Sequence, residues 1–213
     1  MAENNSEHKK VRRRRADGEV SRMRILDSAT EIAAERGYEG TTIGAVSAKC
    51  GLPASSIYWH FKDKDDLLAA VIERSFGDWL SAWELPVTGT VDQRAEAVAR
   101  QIAKALLESP DFIRLGLMLA LERRPVEPRA RARFLSVRAQ AYSVLTQGIH
   151  ELSPRLRAHQ VHELATYALA GADGLFIAKE VGGDSVDLSA LFVLHAQSII
   201  DTAGRMLTER AAS

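Results

Sequence analysis

Helical periodicity runs through almost the whole chain, and it constrains the fold more than any other feature of the sequence. From residue 21 to residue 36 the apolar side chains recur at the spacing of one helical face: Ile25, Leu26, Ala29, Ile32 and Ala33. No run alternates apolar and polar residues for long enough to predict a β-sheet. The sequence therefore predicts an all-α fold of about nine helices.

Residues that start and stop helices divide this pattern into segments. Ser21 is predicted to cap a first helix, which Gly37 ends in a left-handed conformation. Thr42 and Thr90 are predicted to cap later helices, and Ser153 with the proline after it is predicted to open another. Each helix thus has an expected start or end.

The composition is that of a chain with a sizeable core. Of its 213 residues, 46% are hydrophobic and 26% are charged, which excludes a disordered chain and suits one mid-sized domain or a small domain joined to a larger one. A single cysteine, Cys50, excludes an internal disulfide framework and is predicted to be a small buried residue. No stretch approaches the roughly 20 apolar residues that span a bilayer, and the N-terminus lacks the apolar segment of a secretory signal. We therefore expect a cytoplasmic protein without membrane contact.

Charge is unevenly distributed, although the net charge is zero. Residues 1–64 hold 12 Lys/Arg against 9 Asp/Glu, and the cations are most concentrated between Lys9 and Arg15. Such a run is either a solvated disordered tail or an arm that contacts phosphates or the minor groove. Both interpretations predict disorder of residues 1–20 in the free protein.

The stretch from Thr41 to Leu68 has the spacing of a helix-turn-helix. Gly51 lies where the turn requires a positive φ angle. The residues predicted to form a small shared core are Ile43, Val46, Leu52, Ile57 and Phe61. The second helix begins with the small residues Ala54, Ser55 and Ser56, so its first turn could enter a major groove.

Three consecutive residues of this second helix cannot all belong to the core. Tyr58, Trp59 and His60 follow one another, and successive helical side chains are about 100° apart. At least one of the three is therefore predicted to be exposed, close to the cations Lys62 and Lys64. Such a set suits contacts with phosphates.

The same residues resemble the DNA-binding head of the TetR family of transcriptional regulators. The shared pattern consists of Thr41–Thr42, Gly51, Tyr58–Phe61 and Lys64, and residues 21–67 fit the head and the start of its fourth helix without a gap. The resemblance implies a three-helix head followed by a larger helical domain.

The organisation expected on this basis has three parts: a disordered basic arm over residues 1–20, a helix-turn-helix DNA-binding domain over 21–66, and a ligand-binding and dimerisation domain over 67–213. The last two helices would pair with those of a second subunit to form a homodimer. The last helix does carry more apolar residues than one face needs. These residues either form the dimer patch or pack within their own subunit.

The residues implied to contact DNA lie in and around the second helix of the helix-turn-helix. Those implied to contact the DNA backbone are Thr42, Tyr58, His60 and Lys64. Those predicted to face base edges or phosphates are Ala54, Ser55 and Ser56, with Trp59 beside them. Gly44 matches a position that reads a base in some members of the family, but glycine has no side chain to do so. We therefore expect sparse base readout and a larger part for DNA shape and for the arginine-rich arm.

A cavity for a small molecule is implied for the helices that follow the head. The candidate lining residues are Phe76, Trp79, Trp83, Phe112, Leu115, Met118, Glu122, Tyr142 and Tyr167. Each of them also suits an ordinary helical core. Arg138 and His150 are further polar candidates. The predominance of apolar residues favours a hydrophobic or aromatic ligand.

No motif in the sequence indicates an enzyme. A nucleophile elbow, a phosphate loop and paired carboxylates beside a base are all missing, so we expect no catalysis, cofactor or metal. His159 and His162 would need further ligands, such as Glu163 or His150, to hold a metal ion. The expected function is that of a homodimeric transcriptional repressor, which a small-molecule effector releases from a palindromic double-stranded DNA operator. The alternatives are a co-repressed or activating regulator, an architectural DNA-binding protein without a ligand, and a helical enzyme with an incidental basic N-terminus.

Overall fold

The computed structural model describes the backbone of residues 2–81, 86–121 and 128–209, and the side chains of residues 16–79, 86–121 and 128–208. Over these ranges the fold is all-α, as predicted, with a single 3₁₀ turn at Gly183–Ser185 and no strand. The helices are α1 (Ala2–Gly40), α2 (Ile43–Cys50), α3 (Ala54–His60), α4 (Lys64–Ser81), α5 (Val91–Glu108), α6 (Asp111–Leu121), α7 (Arg129–Leu152), α8 (Ala158–Gly182) and α9 (Leu188–Glu209).

Helix α1 is longer than the sequence predicts. Ser21 is not its N-cap, because the Ser21 hydroxyl donates to the carbonyl of Asp17 from within the helix. No proline interrupts residues 2–20, so nothing in the backbone prevents the helix from extending N-terminally. The predicted break at Gly37 is confirmed by its φ of 65°, at which the helix is kinked. The side chains of the basic run lie outside the described residues.

The chain divides into two compact units. The first unit consists of residues 1–75 and 111–135, and the second consists of residues 76–110 and 136–213. The helix-turn-helix predicted over residues 21–66 lies wholly within the first unit. Helices α4 and α7 each contribute residues to both units.

The core of the first unit is built on the buried face of α1. The apolar residues predicted for this face are all buried: Ile25, Leu26, Ala29, Ile32 and Ala33. Helix α6 packs against α1, and a Cβ at Gly116 would overlap the ring of Phe134, so only glycine permits this close approach to α7. The first unit also contains α2, α3 and the first turns of α4 and α7.

One core cluster of the second unit lies where α7, α8 and α9 meet. Its buried residues are Ile149, Leu156, Val161, Leu164, Ala165 and Ala203. Helix α8 begins at Ala158 and not at Ser153, because residues 153–156 form a turn closed by the bond from the Leu156 N–H to the Ser153 carbonyl. The side chain of Gln160 then caps the new start by accepting from the N–H of Arg157, and it donates to the carbonyl of Met206 on α9.

Candidate nucleic-acid interface

Helices α2 and α3 are joined by a turn that several residues fix. Thr42 caps α2 as predicted, with its Oγ1 accepting from the N–H of Ala45 at 3.1 Å. Gly51 ends α2 at φ 64° and ψ 25°, the left-handed conformation that glycine adopts without a Cβ penalty. The Ser47 hydroxyl donates to the carbonyl of Leu52 at 2.7 Å and so ties α2 to the turn. These bonds hold α3 at a defined angle to α2.

Helix α3 has one buried and one exposed side. Ile57 and Phe61 are buried against the head, whereas the side chains of Tyr58 and Trp59 are 57% and 76% exposed. The prediction that the consecutive aromatic residues cannot all be core residues is therefore confirmed. Ser55 is exposed on the same helix, and Ala54 and Ser56 are half-buried.

Residues of α1 that the sequence did not single out lie beside this surface. The ring of Trp59 lies close to Gly18: a Cβ added to Gly18 would be 3.5 Å from the ring, in van der Waals contact. The same ring packs edge-on against His60, with 4.6 Å between the ring centroids. Arg22 places its guanidinium 5.4 Å from the centre of the Phe61 ring. Partial burial lowers the pKa of His60, the positive charge of Arg22 lowers it further, and Glu19 opposes this effect.

Lys64 is engaged within the protein. Its Nζ lies 3.2 Å from the carbonyl oxygen of Tyr38, 3.3 Å from Oε2 of Glu39 and 4.2 Å from the centre of the Tyr38 ring. The hydroxyl of Tyr38 in turn donates to Oδ1 of Asp65 at 3.3 Å. Lys64 is therefore held at the start of α4 by the kinked end of α1, and its predicted phosphate contact stays a prediction.

The first turn of α4 is capped by its own carboxylates. The N–H of Asp66 donates to Oδ1 of Asp63 at 2.8 Å, and the N–H of Lys62 donates to Oδ2 of Asp66 at 3.0 Å. The bond from the Asp66 backbone lowers the pKa of Asp63, desolvation opposes this, and the charge of Arg129 lowers the pKa further. Asp63, Asp65 and Asp66, hereafter the acidic trio, all lie within 3.5 Å of Arg129 at the start of α7.

Arg129 and Tyr38 are further residues near the candidate interface that sequence reasoning missed. Arg129 is more than 60 positions away from the trio in the chain, so no local spacing could have brought the two together. Tyr38 stands one residue after the predicted helix break, where nothing in the sequence separates a structural tyrosine from a surface one.

The predicted ligand-lining residues are divided between the two units. Phe112 and Leu115 are buried in the core of the first unit, and Met118 of that unit lies against Gly37. In the second unit Phe76 stacks on Trp79 with 5.9 Å between ring centroids, and Tyr167 lies beside His195 on the exposed side of α8. Trp83 and Glu122 lie outside the described residues. Whether these residues bind a ligand stays a prediction.

Tyr142 lines a cleft in the second unit that we call the α7–α8 cleft. Its volume is about 320 Å³, and its lining residues are Tyr142, Thr146, His150, Leu156, Ala158, Val161 and His162. The hydroxyl of Tyr142 lies 2.5 Å from Nδ1 of His162. Leu156 and Val161 are buried, whereas His150 and His162 are exposed. The cleft therefore has an apolar floor and a polar rim.

Two further observations concern metals and membranes. Among the residues that the structure describes, no three or more His, Cys, Asp or Glu side chains converge as metal ligands would. The described helices include none with the length and apolar content needed to cross a bilayer.

Comparisons with known proteins give relatives for part of the chain. A family profile described as "Bacterial regulatory proteins, tetR family" matches residues 25–71. The chain is 31% identical to the HTH-type transcriptional regulator AcrR of Shigella flexneri over 99 residues, which are 46% of each protein. It is 28% identical to the HTH-type transcriptional regulator SrpR of Pseudomonas putida over 107 residues, which cover 46% of this chain and 50% of SrpR. The matched stretch spans about half the length of these curated relatives.

A solved structure extends the likeness of fold to most of the chain. The transcriptional regulator FadR from Bacillus subtilis, determined in complex with stearoyl-CoA, superposes with a TM-score of 0.70. The superposition covers 84% of this chain and 98% of that one at 19% sequence identity. At this identity the likeness establishes the fold alone.

Proposed function

We propose that this chain, which belongs to the tetR family of bacterial regulatory proteins, is a DNA-binding transcriptional repressor that acts as a homodimer on a two-fold symmetric operator. The observation that carries the proposal is the exposure of Tyr58 and Trp59 on α3, whereas the neighbouring Ile57 and Phe61 are buried. Large aromatic rings are unfavourable when they stay exposed to water, and a DNA surface would cover them. The hydroxyl groups beside them can donate hydrogen bonds to phosphates. Such a regulator would act in the cytoplasm.

The second unit supports the proposed dimer. Five of the residues exposed along α8 follow the alternating three- and four-residue spacing of a helix–helix seam: Tyr167, Ala170, Gly174, Ile177 and Val181. Ala170 and Gly174 are small enough to admit a second helix closely. A stripe of apolar and small residues along a surface helix is typical of a subunit interface. A two-fold axis there would join two copies of the chain, each with its own head.

The effector that we propose is a small apolar molecule carrying one acidic or hydroxyl group, bound in the α7–α8 cleft. The cleft's volume of about 320 Å³ is at the lower end of the usual range for small-molecule sites, so it suits a compact ligand and not a whole acyl-CoA. Its floor of Leu156 and Val161 suits an apolar body, and the Tyr142–His162 pair with His150 suits a polar group at the rim. FadR from Bacillus subtilis, which was solved with stearoyl-CoA, supports a partly apolar effector within the same fold.

Selection of bound sequences from a random duplex library, at fixed near-physiological salt, tests the DNA-binding function. We expect the protein to enrich a two-fold symmetric site. Tyr58→Ala should weaken binding to that site by about ten-fold or more, because a contact with a charged phosphate is lost. Leu107→Ala is the matched control, since Leu107 is similarly exposed on α5 (48%) but lies in the second unit. Binding without enrichment would favour an architectural protein, and no binding at all would overturn the proposal.

The effector site has its own test, with benzoate and octanoate as acidic probes and benzamide as the uncharged comparison. Titration calorimetry should detect binding of at least one acid, and His150→Ala should weaken it. His159→Ala is the control, because His159 is an exposed histidine like His150 and lies at the start of α8, but does not line the cleft. Equal binding by both variants would exclude the α7–α8 cleft as the site.

A further inference from the structure

The start of α4 carries a charge arrangement that is unfavourable for DNA binding. The acidic trio follows α3 within a few residues and alternates with Lys62 and Lys64, which the proposed function brings close to phosphates. The Nζ of Lys64 is also 3.3 Å from the carboxylate of Glu39, so part of its charge is offset. Carboxylates near the DNA backbone repel it, and that repulsion is stronger at low salt.

Arg129, at the start of α7, offsets part of this negative charge. Its Nη2 lies 2.7 Å from both carboxylate oxygens of Asp63. Its Nη1 lies 3.4 Å from Oδ1 of Asp66, and its Nε lies 3.5 Å from Oδ2 of Asp65. One guanidinium therefore faces three carboxylates, and each carboxylate meets a different part of it.

Asp65 adds contacts to the backbone of α7. Its Oδ2 accepts from the N–H of Arg129 at 2.6 Å, and its Oδ1 accepts from the N–H of Ala130 at 3.1 Å. Two of the unpaired N–H groups at the start of α7 are thereby satisfied by a side chain of α4. Because Oδ1 also accepts from the hydroxyl of Tyr38, whose carbonyl binds Lys64, the same carboxylate connects α7 to the residues that hold Lys64.

Resting on the proposed DNA-binding function, we infer that Arg129 is a positioning residue for the operator complex: it offsets part of the negative charge of the acidic trio and holds the first turn of α4 against α7. Arg129 acts through the trio and not by touching DNA itself. An exposed ion pair adds little to stability on its own, since screening and side-chain entropy offset most of its energy. The consequence of losing Arg129 therefore lies in DNA affinity more than in the free energy of unfolding.

The experiment compares Arg129→Gln with a rescue variant and a control. Affinity for the selected duplex, or for a mixed-sequence duplex if no site is enriched, is measured by fluorescence anisotropy over a series of salt concentrations, and the thermal midpoint of each variant is recorded. Arg129→Gln should weaken binding by about ten-fold at low salt, and the loss should shrink as salt rises. Arg133→Gln is the matched control, because Arg133 lies one turn further along α7 and is paired with Glu73 of α4 at 2.5 Å, away from the trio.

The rescue variant combines Arg129→Gln with Asp63→Asn and Asp66→Asn, and leaves Asp65 to cap α7. If Arg129 acts by offsetting the charge of the trio, this variant should recover most of the lost affinity. A loss that the asparagines do not restore would mean that Arg129 does not act through the charge of the trio, which overturns the inference. Unchanged affinity in Arg129→Gln would overturn it as well, while leaving the proposed function intact. If the wild-type protein itself binds no duplex, the proposed function fails, and the inference fails with it.

Discussion

At the scale of single residues, His60 is a member of the candidate nucleic-acid interface whose protonation changes with pH. Its ring is partly buried against Trp59, and the nearby Arg22 further disfavours protonation, so its pKa is below the ordinary histidine value. In the free protein at neutral pH His60 is therefore uncharged. The unfolded chain takes up this proton at a higher pH than the folded one, so acidification below about pH 6.5 removes stability at this residue.

Binding to DNA should favour the protonated form of His60 over the uncharged form. A phosphate near His60 stabilises the charged imidazole, so the complex takes up a proton that the free protein does not hold, and affinity should rise as the pH falls below about 6.5. Anisotropy titrations between neutral pH and about pH 5.5 measure this rise, which should approach at most ten-fold per pH unit for each His60 that takes up a proton, and the proposed dimer has two. His60→Gln should abolish it, and His159→Gln should not. The same pH dependence in all three proteins would show that His60 does not face phosphate.

Single residues also show where a sequence is informative about a site. The exposure of Tyr58 and Trp59 follows from their being consecutive on a helix, which is a local property. The bonds from Lys64 to Tyr38 and Glu39 depend on the direction that the chain takes after the kink at Gly37. The ion pair of Arg129 with Asp63 depends on the complete fold. Contacts that join distant segments leave no periodic signal.

At the scale of helices, boundaries set by local contacts were predicted correctly, and boundaries set by contacts between distant segments were not. Thr42 and Thr90 cap α2 and α5 as expected, because each hydroxyl finds its backbone partner within three residues. Ser21 lies inside α1, where the sequence has no residue that stops a helix. Arg157 opens α8 in place of Ser153 because Gln160 is held between the Arg157 N–H and the carbonyl of Met206 on α9.

The stripe along α8 gives a prediction at this scale. Ile177 is 47% exposed, so Ile177→Lys should leave the subunit folded. In a dimer it would bury an unpaired ammonium, and the dimer should weaken by about 100-fold or more. Sedimentation at several protein concentrations measures the change. Leu107→Lys makes the same substitution at a residue of equal exposure on α5 and should leave the dimer intact. A dimer that survives Ile177→Lys would place the interface elsewhere.

At the scale of the whole molecule, the proposed dimer should bind tightly only to operators whose two half-sites are correctly spaced. Recognition helices of such dimers enter major grooves about 34 Å, or one helical turn, apart. Inserting about five base pairs at the centre of the selected operator turns one half-site to the opposite side of the duplex. The wild-type protein should then bind with no more than the affinity of a single half-site, a loss of about 100-fold or more by anisotropy at fixed salt. Ile177→Lys binds each half-site independently and should not distinguish the two operators. If the wild-type protein also bound both equally, its heads would act independently, and the two-fold arrangement proposed for α8 and α9 would be wrong.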